Sequence, residues 1–153
     1  MTPQATVENE MINERLAKLT GTRWTGTGEL WLDPAGNTAA YYACELTIEN
    51  DAIHYSWWYD KAPQNGSFTF FDENGAIWVD SWHQQNPVRC VNNPEAWGIF
   101  TVSHAYEVPD SPDWGWRSRL SQRPDGSLVL QMTNITPWGE EGRAVRMVFD
   151  NRA

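Results

Sequence analysis

Tryptophan constrains the fold of this chain more than any other residue, because ten tryptophans occur in 153 residues. Six of them form close pairs on segments of strand length that turn residues separate: Trp57 and Trp58, Trp78 and Trp82, and Trp114 and Trp116. A large aromatic ring needs a thick core or a cavity to receive it. The sequence therefore predicts a β-barrel with an aromatic interior.

The spacing of turn residues predicts a meander of strands after Gly21. Apolar and polar residues alternate there with the period of a strand. Asn65-Gly66 and Asn74-Gly75 each predict a tight hairpin turn, because Asn and Gly tolerate positive φ, whereas the Asn- and Pro-rich stretch 86–95 is expected to be irregular. The expected fold class is all-β: an antiparallel up-and-down barrel of about nine to ten strands, closed so that no strand edge is exposed.

The residues before this meander predict one helix over Val7–Leu19. Its apolar residues would share one face at helical spacing: Val7, Met11, Ile12, Leu16 and Leu19. Gly21 is expected to end it. Residues 1–20 are thus expected to form an N-terminal helical segment, and residues 1–153 a single domain.

The charge balance limits the possible partners. Eleven Lys and Arg against twenty Asp and Glu give a net charge of −9, which argues against binding to nucleic acid or to anionic membrane surfaces. The first residues lack the apolar region of a signal peptide, and no apolar run has the length of a membrane span. We therefore expect a cytoplasmic protein in which Cys44 and Cys90 are reduced, inert thiols.

One short segment carries a family resemblance. Trp24-Thr25-Gly26-Thr27-Gly28, just after the predicted helix, resembles the opening strand of calycin barrels, which include lipocalins, fatty-acid-binding proteins and nitrobindin-like proteins. The chain resembles most a bacterial calycin-like family of unknown function. The resemblance implies that Trp24 closes one end of the barrel and that Arg146 or Arg152 of the last strand packs over it.

The same resemblance bears on cofactors. Nitrobindin-like proteins hold haem through a histidine near the C-terminal end, and this chain has no histidine after His104. Haem is therefore not expected. The three histidines, His54, His83 and His104, have no spacing typical of a metal site. Strand pairing would bring His83 beside His104, but we expect neither a metal nor another cofactor.

The segment Trp78–His83 is the first candidate for a functional site. Strand alternation places Trp78, Asp80 and Trp82 on one face and His83 on the other. If the tryptophans point inward, Asp80 is a carboxylate between two indoles and a candidate base or ligand acceptor. It would otherwise be a structural carboxylate paired with an arginine. If the opposite face points inward, His83 lines the cavity, and the pattern leaves both orientations open.

Two further stripes supply aromatic walls. Tyr55 and Trp57 belong to a one-sided stripe that fits either a core or a cavity wall, and an inward Trp116 would add another ring. The candidate ligand-binding residues combine these rings with the polar groups of neighbouring strands: Tyr55, Trp57, Trp78, Asp80, Trp82, His83, His104 and Trp116.

These residues predict a binding protein that holds a small apolar or aromatic molecule inside the barrel, since small-molecule pockets combine apolar walls with few polar anchors. A first alternative is a cofactor-free isomerase, cyclase or hydrolase with Asp80 or His83 as general acid and base. A second alternative is carbohydrate binding through exposed tryptophans. No complete catalytic motif in the sequence decides among these functions.

Overall fold

The computed structural model of the chain describes residues 13–33, 36–84 and 86–153. Over these residues the chain forms one short helix and ten strands: α1 (Glu14–Ala17), β1 (Arg23–Trp31), β2 (Ala39–Glu49), β3 (Ala52–Tyr59), β4 (Ala62–Asp72), β5 (Gly75–Asp80), β6 (Val88–Asn92), β7 (Phe100–Tyr106), β8 (Trp114–Gln122), β9 (Leu128–Ile135) and β10 (Glu141–Arg152). The all-β fold class is confirmed.

The strands close into a ring in up-and-down order. Each strand pairs antiparallel with its sequence neighbours, and β1 completes the ring by pairing with β10. The closure depends on Gly26, because a Cβ added there would lie 1.8 Å from the carbonyl oxygen of Val148 on β10. The predicted closed antiparallel barrel is therefore confirmed, with a glycine at a position of β1 where a side chain would collide with β10.

One end of the barrel is closed by Trp24. Its side chain is 6% exposed, and its indole N–H donates to the hydroxyl of Thr22 across 2.9 Å. The Arg152 guanidinium carbon lies 5.7 Å from the centroid of the Trp24 ring. Arg152, and not Arg146, therefore takes the position that the resemblance implies, while Arg146 lies 3.9 Å from Glu29.

The helix packs at this closed end. Asn13 caps α1 by accepting a hydrogen bond from the backbone N–H of Leu16 across 3.0 Å. Its amide donates to the carbonyl of Ile99 across 2.9 Å, and Leu16 is fully buried. The helix predicted over Val7–Leu19 is thus observed only at Glu14–Ala17; its predicted apolar residues Val7, Met11 and Ile12 lie outside the described residues.

Two local predictions were wrong. Asn65 and Gly66 lie inside β4, and the hairpin turn is made by Asp60 and Lys61, whose φ angles are 56° and 62°. Gly66 is required for a different reason, because a Cβ there would lie 2.1 Å from the ring of Tyr55 on β3. The stretch 86–95 contains the short strand β6, which sequence alternation over five residues did not reveal.

The other predicted features of the core can be located directly. Cys44 and Cys90 are both buried and free. No helix among the described residues is long and apolar enough to cross a bilayer. The buried side chains form one continuous cluster that runs from Leu16 and Trp24 at the closed end to Trp57 and Trp78 towards the opposite end.

Candidate functional site

The end of the barrel opposite Trp24 carries two clefts of about 280 Å³ each. Trp116 and His83 line both, so these two side chains separate one cleft from the other. The first, the His104 cleft, is completed by Trp78, Gln84, Val88, His104 and Tyr106. The second, the Arg143 cleft, is bounded by the end of β1, by Trp82 and by the β9–β10 side of the mouth, including Asn134 and Arg143.

Asp80, the last residue of β5, points into the barrel and is 1% exposed. Its Oδ2 accepts a hydrogen bond from the Tyr55 hydroxyl across 2.5 Å. The same hydroxyl accepts from the indole N–H of Trp78 across 2.9 Å. Tyr55, Trp78 and Asp80 therefore form one buried hydrogen-bonded chain, in which the carboxylate is satisfied by donors and not by an arginine.

The other oxygen of Asp80 fixes the turn that follows β5. Oδ1 accepts from the backbone N–H groups of Trp82 and His83 across 2.8 and 3.0 Å. Asp80 lines neither cleft. Its carboxylate instead determines where the side chains of Trp82 and His83 are presented at the mouth, as an Asx-type turn does.

Because β5 ends at Asp80, strand alternation does not extend to the turn. His83 therefore lies on the same side as Trp78, with ring centroids 5.9 Å apart, although alternation placed it opposite. Trp82 is 44% exposed at the rim. Its ring packs edge-on against Trp57 at 5.7 Å and Tyr59 at 5.4 Å.

The aromatic wall of the mouth is built from four strands, β3, β5, β7 and β8, and from the turn after β5. Trp78 and Trp116 stack with an interplanar angle of 18° and centroids 5.6 Å apart. The His83 ring lies 5.1 Å from Trp116 and 6.3 Å from Trp57. The His104 ring lies 5.6 Å from Trp78. The structure thus brings Trp57, Trp78, Trp116 and both inward histidines into one cluster.

Burial controls the protonation of the titratable groups in this cluster. It lowers the pKa of both His83 and His104, while the negative charge of Asp80 acts on His83 in the opposite direction. Burial also raises the pKa of Tyr55 well above its ordinary value. At neutral pH the two imidazoles are therefore uncharged and the phenol is protonated.

Cys90 lies beside His104 but is not an activated nucleophile. Its sulfur is 3.6 Å from Nδ1 of His104. Burial raises the pKa of the thiol to about 12, so the reactive thiolate is scarce at neutral pH. The pair is better described as part of the wall behind the His104 cleft.

Four buried polar atoms of the mouth have no hydrogen-bond partner among the described residues: Trp57 Nε1, His83 Nε2, Gln84 Oε1 and Trp116 Nε1. A buried polar group without a partner costs about 1–3 kcal/mol of stability. Three of these atoms, on His83, Gln84 and Trp116, belong to side chains that line the His104 cleft. His83 and Trp116 also line the Arg143 cleft, so of the two clefts the His104 cleft is the one lined by all three.

Sequence analysis missed three residues of the His104 cleft, Gln84, Val88 and Tyr106, and of these Gln84 carries an unpartnered polar atom. Its Nε2 donates to the carbonyl of Trp78 across 3.0 Å, which holds the amide against the end of β5. Nothing in the sequence distinguishes it from the neighbouring Gln85, because its role depends on the turn that Asp80 fixes.

The Arg143 cleft has a different chemical character. The Arg143 guanidinium carbon lies 4.7 Å from the centroid of the Trp31 ring, and its Nη2 donates to the carbonyl of Gly36 across 2.5 Å. Asp33 also lines this cleft. Hydrogen bonds from the backbone N–H groups of Thr38 and Asn37 lower the pKa of Asp33, so a cation and an anion both lie near this opening.

The described residues also bear on metal binding and on sugar binding by exposed tryptophans. No group of three or more His, Cys, Asp or Glu side chains in the described ranges could hold a metal ion. Of the exposed tryptophans, Trp97 lies under the guanidinium of Arg119 at 4.3 Å, and Trp138 packs beside Trp114 at 6.4 Å. Trp97 lies between β6 and β7 and Trp138 between β9 and β10, whereas Trp82 packs against Trp57 and Tyr59.

In comparisons with known proteins, the sequence matches no family model and no curated protein at a significant level.

Proposed function

We propose that this protein binds a small, flat, apolar or aromatic molecule at the open end of a calycin-like barrel, in the His104 cleft. The observation that carries the proposal is the set of unpartnered polar atoms on His83, Gln84 and Trp116. These atoms lie among aromatic rings, and binding sites for small molecules combine mostly apolar walls with a few polar anchors.

The calycin-like part of the proposal is supported by the closed end. Trp24 at the start of β1 is covered by Arg152 at the end of β10, as the resemblance implies for calycins. The fold alone does not determine function. The His104 and Arg143 clefts lie at the end of the barrel opposite Trp24, and the mouths of β-barrels are a common place for small-molecule sites.

The dimensions of the His104 cleft favour a ligand of one or two rings. Its volume is about 280 Å³, just below the range for drug-sized ligands, which begins at about 300 Å³. Trp78 and Trp116 both line the cleft and stack on each other with near-parallel rings, and a planar molecule that extends this stack buries more surface than a branched one.

Side-chain movement is part of this proposal. The unpartnered atoms of His83, Gln84 and Trp116 are covered by neighbouring groups, so a ligand must displace a side chain to reach them. The backbone of the turn cannot easily yield, because Asp80 accepts from two of its N–H groups and Ser81 donates to the carbonyl of Asn65 across 2.9 Å. Rotation of the His83 ring is therefore the expected opening motion.

The experiment is a titration with quinoline, a soluble planar two-ring probe, followed by calorimetry and by the indole N–H signals in NMR spectra. We expect saturable binding that shifts the signals of Trp116 and Trp78. The Trp116→Leu variant should bind at least about tenfold more weakly, whereas Trp138→Leu, at an exposed position, should bind like the wild type. Shifts confined to Trp97 or Trp138, or equal affinity in the Trp116→Leu variant, would refute the proposed site.

A second candidate is a cofactor-free enzyme with His83 as the base. It is favoured by one observation: Nε2 of His83 is unpartnered and the ring is neutral, as a base near neutral pH must be. Asp80 is a weaker candidate because it lines neither cleft. Hydrogen–deuterium exchange at an acidic position of the bound ligand, lost in His83→Gln, would support this activity. Exchange at the same rate in His83→Gln would contradict it.

A further inference from the structure

We infer that the ligand of the His104 cleft is a planar, uncharged nitrogen heterocycle whose edge carries an N–H donor next to a carbonyl acceptor, as a lactam or a nucleobase does. The inference rests on the proposed function and narrows it to a chemical class. It follows from which of the unpartnered atoms are donors and which are acceptors, and from the absence of charged side chains among those that line the cleft.

Gln84 supplies the acceptor for the ligand's N–H. The carbonyl oxygen of Trp78 can only accept a hydrogen bond, so the group of Gln84 that lies 3.0 Å from it must be the amide nitrogen. The orientation of the amide is thereby fixed, and Oε1 is the atom left without a partner. An amide oxygen can be satisfied only by a donor.

Trp116 supplies the donor for the ligand's carbonyl. An indole N–H donates and never accepts, and Nε1 of Trp116 has no acceptor among the described residues. The equivalent group of Trp78 differs, because it already donates to Tyr55. The side chains that line the cleft therefore carry one unused acceptor and one unused donor on two different elements, the turn after β5 and strand β8, and both atoms become available once a covering side chain moves.

His83 is compatible with either polarity. A neutral imidazole carries one donor and one acceptor nitrogen, and the tautomer decides which is which. Its unpartnered Nε2 can therefore add a hydrogen bond to either side of a donor–acceptor edge. A hydrocarbon ligand would leave all three groups unpaired, which is the costly outcome for buried polar atoms.

The walls argue against a charged ligand. None of the side chains that line the His104 cleft is an Asp, Glu, Lys or Arg, and burial keeps His83 and His104 neutral. Moving a charge into such a site without a partner is unfavourable. Arg143 and Asp33 line the other cleft, beyond the rings of His83 and Trp116.

Matched ligands test the inference on the wild-type protein by calorimetry. The two key probes are 4-methyl-2-quinolinone, which keeps the lactam N–H, and 1-methyl-2-quinolinone, which has the same size but lacks it. We expect the N–H compound to bind about tenfold tighter or more, the cost of leaving one buried acceptor unpaired. Naphthalene, with neither donor nor acceptor, should bind more weakly than either lactam.

Variants assign the effect to the two side chains. In Gln84→Met the preference for 4-methyl- over 1-methyl-2-quinolinone should fall to about one, because methionine offers no comparable acceptor. Gln122→Met is the matched control, since Nε2 of Gln122 also donates to a backbone carbonyl, that of Gly126, but on an exposed turn; the preference should persist. Trp116→Phe keeps a ring without the N–H and should weaken both lactams.

The outcomes separate the inference from the proposed function. Equal binding of all three neutral probes, or a preference that survives in Gln84→Met, would overturn the lactam class while leaving aromatic binding intact. If the cation 1-methylquinolinium or the anion 2-naphthoate bound more tightly than 4-methyl-2-quinolinone, the requirement for an uncharged ligand would be overturned. If neither quinoline nor any lactam binds, the proposed function and the inference fail together.

Discussion

The hydroxyl of Tyr55 on β3 donates a 2.5 Å hydrogen bond to the carboxylate of Asp80 on β5. The intervening strand, β4, places Gly66 beside Tyr55, so the phenol ring passes over a residue without a side chain. Asp80 in turn holds the N–H groups of the turn that presents His83. The position of an imidazole at the mouth thus depends on a hydrogen bond between two other strands.

Removal of the Tyr55 hydroxyl should therefore destabilise the barrel. Tyr55→Phe deprives Asp80 of a donor and the Trp78 indole of an acceptor. We expect the free energy of unfolding to fall by about 1–3 kcal/mol, measured by urea denaturation. Tyr41→Phe is the matched control, because Tyr41 is 70% exposed. A Tyr55→Phe protein as stable as this control would mean that the hydrogen-bonded chain contributes nothing to stability.

Gly66→Ala should disturb the same chain without removing any polar group. The added methyl would lie 2.1 Å from the Tyr55 ring and 2.2 Å from its hydroxyl oxygen, so the ring must move. Overpacking of this kind costs about 1–3 kcal/mol, and we also expect weaker quinoline binding because the Asp80 turn shifts. Gly115→Ala is the control, since its nearest neighbour would lie at an ordinary 3.4 Å. Equal stability of the two variants contradicts the prediction.

Trp24→Ala should reduce stability without a specific effect on the ligand. The ring is buried at the closed end, far along β1 from the mouth. Truncation of a buried tryptophan costs about 3–5 kcal/mol, to be measured as the free energy of unfolding. The fraction that remains folded should bind quinoline with wild-type affinity. A melting transition like that of the wild type would show that the Trp24 side chain does not close this end of the barrel.

The buried histidines should make the protein less stable in acid. Burial lowers the pKa of His83 and His104 in the folded state, whereas the unfolded chain titrates near its ordinary value of about 6.5. The unfolded state therefore binds more protons as the pH falls below about 7, and stability decreases until the lower folded pKa is reached. In the His83→Gln, His104→Gln double variant this loss should shrink. An unchanged pH dependence of the free energy of unfolding is the contrary result.

The barrel could be predicted from the sequence because alternating apolar residues and turn residues recur along the whole chain after Gly21. Alternation grouped Tyr55 and Trp57 on one face of their strand, and both are buried; it left either face of the Trp78 strand open, and Trp78 is buried too. The prediction failed where tertiary contacts override local preference. The turn at Asp60 and Lys61 requires positive φ from two non-glycine residues, of which lysine seldom adopts it. Asn65-Gly66 has the typical turn sequence, but Gly66 instead leaves room for the ring of Tyr55.

The candidate site was only partly predictable for a related reason. His83 and Gln84 lie in a turn, where no period relates one side chain to the next, and their positions depend on hydrogen bonds to Asp80 and Trp78. Trp116 and His104 were identifiable because they lie on strands. Unpaired polar atoms are a property of the assembled mouth, and no sequence pattern indicates them.

The extent of backbone pairing between adjacent strands differs around the barrel. β1 and β2 pair along the whole of Arg23–Trp31, whereas β6 and β7 are registered only through Val91 with Ser103 and Asn92 with Val102. Local opening begins where few backbone hydrogen bonds must break. We therefore expect β6 and β7 to separate transiently while the other strand pairs of the barrel stay formed. Val88 and His104 belong to these two strands, so separation of β6 from β7 would open the wall of the His104 cleft. The backbone amide hydrogens of β6 and β7 should exchange with solvent before those of the other strands.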